Sequence, residues 1–262
     1  YYDVDVRRCK FIGGLDAGSI RMSCPGGKIK VESSLFSGIN ETTSGGGLGL
    51  WIGNTATGWI YNCNFHSNAT ITAGPAIYKY YPNSYPNAVN IRNSLFHDNS
   101  TNGVAPINID PVNWGTGYDV RYCAVTNQMT NDFLIGNPAY SNRYTPMGYT
   151  NWITGDWDAA PVTDAEGFAT TCLDSDAAWT PGRLVGMVIN PERTQTRHSM
   201  IISNTATTLT IVGDGFGAGN NDNFVIMDYH LLTNSPLIDA GTNSSTAVLD
   251  MDSGVMPLDG NT

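Results

Sequence analysis

The chain has 262 residues, a formal net charge of −10 and charged side chains at only 14% of positions. This composition argues against a nucleic-acid partner, because phosphate binding requires clustered lysines and arginines. The sequence has no apolar run long enough for a membrane-spanning helix. Abundant turn-forming residues without a 3.6-residue apolar period favour an all-β fold.

The first half of the chain contains a repeated pattern whose apolar anchors are separated by 25, 29, 31 and 29 residues. The repeated segments are VRRCKF (6–11), VESSLF (31–36), IYNCNF (60–65), IRNSLF (91–96) and VRYCAV (120–125). A second, weaker strand pattern follows each anchor, in SIRM, GLWI, AIYK, PINI and DFLI. Such a repeat is typical of a parallel solenoid, in which each turn of chain stacks on the last at about 4.8 Å.

Equivalent positions of the repeats are predicted to form three buried rows. The anchors are Phe11, Phe36, Phe65, Phe96 and Val125. Two positions earlier lie Cys9, Ser34, Cys63, Ser94 and Cys123. Five positions earlier lie Val6, Val31, Ile60, Ile91 and Val120. Because five is odd, strict alternation would turn this last row outward, so we expect a bend near Asn62 and Asn93 that returns it to the core.

The cysteines of the middle row alternate with serines, so each lies two turns from the next. That separation is about 9–10 Å, beyond the reach of about 7 Å that a disulfide allows. The sequence therefore predicts unpaired, buried thiols. The alternatives are catalytic or metal-binding thiols.

Two histidines and two asparagines occupy equivalent positions after neighbouring anchors. His66 and His97 are interpreted as a solvated surface pair, and a Zn or Cu site is the alternative, with Asp98 as the one further ligand in view. Asn68 and Asn99 are predicted to form a short asparagine ladder that bonds to the turn backbone.

The V-x-I-x-N-C-x-F-x-x-N pattern over residues 1–138 resembles right-handed parallel β-helix proteins of the pectate-lyase-like superfamily. The stretch DYHLLTNSPLIDAGTNSS…LDMDSGVMPLDG at 228–260 is similar to the C-terminal part of bacterial surface β-helix proteins of the choice-of-anchor type. In those proteins this stretch ends the solenoid before a sorting tail. The resemblance implies a bacterial protein that is extracellular or on the cell surface, with a tail that is truncated here.

Four segments are expected: parallel β-helix coils at 1–138, an irregular aromatic-rich loop at 139–170, an inserted antiparallel β module at 171–228, and a terminal coil with the start of the tail at 229–262. The module prediction depends on four strand-like runs, RLVGMVIN, HSMIIS, TLTIVG and NFVIMD. The loop at 214–223 is interpreted as a turn. A Ca²⁺ site involving Asp214 and Asp222 is the alternative, and their spacing is not that of an EF-hand. No other cofactor is predicted.

The resemblance directs attention to catalytic carboxylates. Lyases of the group pair a basic residue with an acidic Ca²⁺ cluster, and hydrolases use two or three aspartates. An outward row is predicted to contain Arg7, Glu32, Tyr61, Arg92 and Arg121, with Arg7–Glu32 as a weak exposed ion pair. Asp110 has no carboxylate neighbour on the adjacent coils. The sequence leaves open whether the protein is an enzyme, and a protein without catalytic activity is favoured over one similar to polysaccharide lyases. No catalytic residue or metal ligand is assigned.

The predicted ligand-binding residues lie on or near the second strand of the repeats: Trp51, Tyr78, Lys79, Tyr80 and Asp110. Aromatic rings there would stack on sugar rings. The alternative is that YKYYPNSYPN is only a packed loop.

The resulting functional prediction is a secreted or cell-surface β-helix protein that binds a polysaccharide or cell-envelope glycan without catalysis. One alternative is a polysaccharide lyase or glycoside hydrolase acting on acidic glycans. The other is a structural subunit of an extracellular filament or layer, since the open ends of a solenoid allow self-assembly.

Overall fold

A computed structural model describes residues 3–13, 20–22, 25–41, 49–53, 55–70, 76–79, 89–101, 118–125, 143–144 and 152–229. The chain divides into two compact units, whose described residues lie within 3–144 and within 152–229. Both units are all-β, and a single 3₁₀ turn at Gly215–Gly217 is the only helical element in these ranges. No helix among the described residues has the length and apolar character needed to cross a membrane.

The described residues of the first unit form seventeen short strands. In chain order they are β1 (Asp3–Arg7), β2 (Lys10–Ile12), β3 (Ile20–Met22), β4 (Lys28–Glu32), β5 (Leu35–Ser37), β6 (Asn40–Glu41), β7 (Leu50–Ile52), β8 (Thr57–Tyr61), β9 (Asn64–His66), β10 (Ala69–Thr70), β11 (Ile77–Lys79), β12 (Val89–Arg92), β13 (Leu95–His97), β14 (Ser100–Thr101), β15 (Tyr118–Arg121), β16 (Ala124–Val125) and β17 (Arg143–Tyr144).

These strands form four parallel sheets. Their orders are β1-β4-β8-β12-β15, β2-β5-β9-β13-β16-β17, β3-β7-β11 and β6-β10-β14. Each repeat of the sequence contributes one strand to the first sheet and the following strand to the second, and we call one such repeat a rung. The predicted parallel stacking of the five repeats is therefore confirmed. The second strands predicted in PINI and DFLI lie outside the described residues.

The anchor row forms a column of stacked rings. Phe11, Phe36, Phe65 and Phe96 pair in register, and successive ring centroids are 4.8, 4.7 and 4.8 Å apart. The Val/Ile row also pairs residue for residue, and four of its members are fully buried. Burial of each such side chain contributes about 1.5–3 kcal/mol. Both predicted rows are confirmed.

Residues in the left-handed conformation turn the chain twice in each of the first four rungs, and the first of these two corners is also present in the fifth. The first corner, between the strand of the first sheet and that of the second, has positive φ at Arg8, Ser33, Asn62, Asn93 and Tyr122. The second corner, two residues after each phenylalanine, has positive φ at Gly13, Gly38, Ser67 and Asp98. The bend predicted near Asn62 and Asn93 is confirmed, and it explains how two rows an odd number of positions apart both face the core.

The small-residue row fills the space inside the first corner. The Ser34 hydroxyl donates to the Glu32 carbonyl at 2.8 Å, and the Cys63 thiol makes the equivalent contact with the Tyr61 carbonyl at 3.3 Å. The Ser94 hydroxyl also accepts from the Cys63 amide at 3.2 Å, which joins adjacent rungs. Cys63 and Cys123 are buried and are not in disulfides, as predicted, whereas Cys9 is also outside any disulfide but is only half-buried.

The predicted asparagine ladder is confirmed inside the second corner. Asn68 and Asn99 are fully buried. The Asn68 side-chain amide donates to the Phe36 backbone carbonyl at 3.1 Å and to the Asn99 side-chain oxygen Oδ1 at 2.9 Å. Its own oxygen accepts from the Ile39 amide at 3.1 Å. One side chain thus bonds to the rungs on both sides of it.

The second unit is a curled antiparallel sheet of seven strands in the order β18-β24-β21-β22-β23-β20-β19. Their bounds are β18 (Ile153–Asp156), β19 (Val162–Thr163), β20 (Ala169–Leu173), β21 (Val188–Asn190), β22 (Ser199–Asn204), β23 (Thr208–Val212) and β24 (Asn223–Met227). Trp157 is fully buried in its core, stacks on Phe224 at 4.1 Å and donates from Nε1 to the Pro191 carbonyl at 2.9 Å.

The antiparallel module starts earlier than the sequence indicated. Strands β18, β19 and the beginning of β20 fall in the segment predicted to be an irregular loop at 139–170, and β18 pairs with β24. These strands are two to five residues long and rich in Thr, Gly and Asp, so their alternation was too short to recognise. The four later strands were predicted correctly. The terminal coil predicted for 229–262 lies outside the described residues after Tyr229.

Candidate functional site

The outward side of the first sheet presents two parallel rows of polar and aromatic residues. One row is Asp5, Lys30, Trp59, Asn90 and Asp119, and the other is Arg7, Glu32, Tyr61, Arg92 and Arg121. We call these ten residues the outer face. They alternate along each strand with the buried Val/Ile row, because successive side chains of a strand point to opposite sides of the sheet.

Trp59 and Tyr61 lie at the centre of the outer face, on β8. Both are half-buried. Lys30 and Glu32 flank them on one neighbouring strand, and Asn90 and Arg92 flank them on the other. Burial is the main cause of a raised pKa for the Tyr61 hydroxyl, and Glu32 adds to it while Arg92 opposes it. The hydroxyl therefore stays protonated and available as a donor at neutral pH.

Glu32 sits beneath two cations at one side of this aromatic pair. Its side chain is only 1% exposed, with the Lys30 ammonium 2.7 Å from Oε1 and the Arg7 Nε 3.4 Å from Oε2. The predicted Arg7–Glu32 contact is therefore present, but only its Arg7 side is exposed, because the Glu32 side chain is buried. The long side chains of Arg7 and Lys30 fold over the carboxylate, and alternation alone does not reveal such covering.

Asp119 is the matching carboxylate on the other side. It accepts from Arg92 Nη2 at 2.5 Å and from Arg121 Nε at 2.8 Å. Partial burial acts to raise the pKa of the Asp119 carboxyl, but the bonds from Arg121 and Arg92 outweigh it and hold the pKa below its usual value. With four cations and three carboxylates, the outer face is slightly positive on a chain whose net charge is −10.

The structure brings only some of the predicted ligand-binding residues together. Trp51 and Tyr78 are register partners on β7 and β11. Lys79 pairs with Ile52 in the adjacent row, whose members Ile52 and Met22 are buried. Tyr80 and Asp110 lie outside the described residues.

Trp51 itself is largely covered. Its side chain is 8% exposed, and the Arg21 guanidinium carbon lies 4.4 Å from its ring centroid. The ring also lies over Gly53, where an added Cβ would come within 2.2 Å of it. A glycine is thus required at position 53 for this packing, and little of the Trp51 ring faces solvent.

His66, His97 and Asp98 form a compact cluster at the second corner. The two imidazoles stack with centroids 3.8 Å apart and planes 18° from parallel, and they are 2% and 3% exposed. The interpretation of a solvated pair was therefore wrong. The buried row that contains Ser37 continues through both histidines, since β5, β9 and β13 pair in register.

Electrostatics couple the members of this cluster. Burial lowers the pKa of His97, and Asp98 opposes the effect. The hydrogen bond with His97 in turn lowers the pKa of the Asp98 carboxyl, against its own partial burial. The cluster thus brings an imidazole nitrogen of each histidine close to the Asp98 carboxylate.

The two carboxylates of the 214–223 loop are directed to the loop's own backbone. Asp214 Oδ1 accepts from the Phe216 amide at 3.0 Å, and Asp222 Oδ2 accepts from the Gly219 amide at 2.6 Å. This arrangement supports the interpretation of the loop as a turn.

Sequence reasoning missed half of the outer face. The missed row, two positions before the outward row that was recognised, is Asp5, Lys30, Trp59, Asn90 and Asp119. Continuing the alternation by one step towards the N-terminus of each strand would have identified them. The chain was also compared with protein-family models, with curated proteins and with solved structures, and no match was found in any of the three.

Proposed function

We propose that the first unit is a right-handed parallel β-helix and that the protein, secreted or held at a cell surface, binds an extended polysaccharide without catalysis. The observation that carries this proposal is the outer face. There, two adjacent aromatic side chains, Trp59 and Tyr61, are flanked on successive rungs by charged and amide groups. Sugar recognition uses this combination, with apolar ring faces for stacking and polar groups for hydroxyls.

The spacing of the rungs suits a polymer. Neighbouring strands lie about 4.8 Å apart, close to the length of one sugar residue in an extended chain. A polysaccharide that runs across the strands would therefore meet one rung per sugar. Trp59 and Tyr61 would stack on the central sugar, while Lys30 and Arg92 would contact the sugars before and after it.

The carboxylate positions favour binding over hydrolysis. Of the three carboxylates of the outer face, Glu32 and Asp119 lie on β4 and β15, three rungs apart, a separation of about 14 Å. Asp5, on the strand next to Glu32, accepts from Arg7 Nε and Nη2 at 2.8 and 2.6 Å. Glycosidases hold their two carboxyl groups about 5–9.5 Å apart. Glu32 and Asp119 are also engaged by two cations each. In this proposal Glu32 and Asp119 orient the long basic side chains, which then donate to the ligand.

The test is a glycan array with the parent protein and a Trp59→Ala, Tyr61→Ala double variant. We expect the double variant to lose at least about tenfold in affinity, equivalent to about 1.4 kcal/mol. Thr57→Ala is the matched control, since Thr57 lies on the outward side of the same strand beyond the aromatic pair. It should bind as the parent does.

One further variant distinguishes the outer face from the surface at Trp51 and Tyr78. Tyr78→Ala should leave binding unchanged if the outer face is the site. Loss of binding in this variant, together with retention of binding in the Trp59/Tyr61 double variant, would place the site at Trp51 and Tyr78.

A parent protein that binds no glycan would contradict the proposal and favour the structural-subunit alternative. Incubation with uronic-acid polymers in Ca²⁺ and in EDTA should release no new reducing ends, and Ca²⁺-dependent release would favour a lyase.

A further inference from the structure

The cluster at the second corner brings three metal-ligating side chains to one place. His66 and His97 are register partners at the ends of β9 and β13, and Asp98 follows His97 in the left-handed conformation. This backbone conformation directs the chain around the corner next to both rings. The three groups thus come from two adjacent rungs, and they meet only because the strands pair in this register.

Their ligand atoms are already near metal-binding separations. His66 Nε2 lies 3.9 Å from Asp98 Oδ2, and His97 Nδ1 lies 3.6 Å from the same oxygen. Each of the three side chains offers one ligand atom that lies within 4.8 Å of the other two. Ligands of a tetrahedral Zn²⁺ ion at about 2.0–2.2 Å lie roughly 3.3–3.5 Å apart. To reach that spacing, the contacts with Asp98 would shorten by up to about half an ångström, and the two imidazole ligand atoms would approach each other by up to about 1.4 Å.

We propose that His66, His97 and Asp98 bind one divalent transition-metal ion, of the Zn²⁺ class, at this corner. Two imidazoles and one carboxylate supply three protein ligands and leave a fourth position for water, a pattern that zinc accepts. Imidazole nitrogen favours Zn²⁺ and Cu²⁺ over Ca²⁺ and Mg²⁺, which prefer all-oxygen sites.

The surroundings of the three ligands fit such an ion. Asp98 is 57% exposed and gives the ion a route from solvent, whereas the imidazoles are 2% and 3% exposed and shield its inner side. Ser67 Oγ lies 2.8 Å from His66 Nε2, so this hydrogen bond is released when the nitrogen binds the ion. The nearly parallel rings do not yet point at one centre. Binding therefore requires one imidazole to turn about its Cβ–Cγ bond, a torsion with broad minima.

The test uses the whole protein, freed of metal with EDTA and dialysed. Titration with Zn²⁺ in a calorimeter should show one site per chain. Asp98→Asn keeps the shape of an exposed side chain while weakening its ligand oxygen, so the fold should be retained. We expect this variant to bind Zn²⁺ more weakly by at least on the order of 10- to 100-fold, because loss of a group that only supports a ligand already costs that much. Co²⁺ substituted for Zn²⁺ should give the absorption bands of a four-coordinate ion.

Two controls make the result decisive. Asp158→Asn alters an exposed aspartate of the second unit that accepts from Ser175, and it should bind Zn²⁺ as the parent does. His198→Gln removes a buried histidine of the second unit, and it should also leave the affinity unchanged. Absence of a one-to-one site, equal affinity in the Asp98→Asn variant, or loss of binding in the His198→Gln variant would each overturn the proposal.

Discussion

Cys63 and Cys123 show how the environment of a single residue sets its chemistry. Both lie in the small-residue row beneath the first corner, with their thiols directed to the carbonyls of Tyr61 and Arg121. Burial raises the pKa of each thiol to about 12. In the second unit, burial raises the pKa of Cys172 to about 12 as well. These thiols are small core residues and not nucleophiles, because the thiolate is the reactive form.

The raised pKa values predict a loss of stability at alkaline pH. An unfolded cysteine ionises near pH 8.5, whereas the folded thiols stay protonated until about pH 12. Their stabilising contribution is therefore complete below pH 8.5 and declines as the pH rises towards 12. Between pH 8.5 and 10 each buried thiol should lower the free energy of unfolding by up to about 1.4 kcal/mol per pH unit.

Urea unfolding of the parent and of Cys63→Ala across this pH range measures the effect. The variant is less stable at pH 8 because a buried side chain is shortened, but its slope against pH should be smaller by the contribution of one thiol. Cys9→Ala is the control, since Cys9 is only half-buried. An identical slope in the parent and in Cys63→Ala would show that Cys63 ionises freely in the folded protein.

At the scale of the element, side-chain hydrogen bonds between neighbouring rungs hold each rung in place. Asn68 satisfies the Ile39 amide of one rung and bonds to Asn99 of the next. Asn99 repeats the contact by donating to the Phe65 carbonyl at 3.0 Å. Backbone groups at a tight corner lack their regular ladder partners, so the asparagines supply the bonds that the strands cannot.

Replacement of Asn68 by alanine should destabilise the protein by about 2–4 kcal/mol, because buried donors and acceptors on two rungs lose their partner at about 1–3 kcal/mol each. Thermal or urea unfolding measures the change. Asn93→Gly is a suitable comparison at a neighbouring corner, where φ is 51° and glycine adopts that conformation readily. It should cost much less, and a comparable loss in the two variants would argue against the ladder.

The elements also show what the sequence could and could not reveal. The phenylalanine column, the Val/Ile row and the bend at Asn62 were predictable because one signal recurs five times at similar spacing. Covering was not predictable: Trp51 and Glu32 occupy outward positions, yet Arg21 lies over the first and Arg7 and Lys30 over the second. Periodicity predicts the side of the sheet on which a residue lies. How far that residue is exposed depends on long side chains of neighbouring rungs, which can cover it.

At the scale of the whole molecule, the antiparallel unit has the features of an independent domain. It has its own apolar core around Trp157 and Phe224. Its first and last strands, β18 and β24, are hydrogen-bonded partners, with Ile153 opposite Ile226. The two ends of the described part of this unit are therefore adjacent.

A fragment spanning residues 149–232 should fold by itself, with a β-type circular dichroism spectrum and a cooperative thermal transition. The shorter fragment 171–228 is the matched control. It lacks β18 and Trp157, so β24 loses a neighbour and Phe224 loses its stacking partner. The shorter fragment should be unfolded or should melt without cooperativity. Equal stability of the two fragments would place the domain boundary where the sequence alone suggested it.

The two left-handed corners of each rung have a consequence for how such a chain can change in length. Asn62 and Asn93 are equivalent residues at the first corners of neighbouring rungs. Excision of residues 63–93 would join Asn62 directly to Ser94, the small residue that now follows Asn93, so the new junction would have the sequence of an ordinary first corner. Phe36 would then face Phe96, and neither corner would need a new sequence. Unequal recombination between repeats could therefore add or remove whole rungs during evolution. If the outer face binds one sugar per rung, each such event would lengthen or shorten the recognised glycan by one unit.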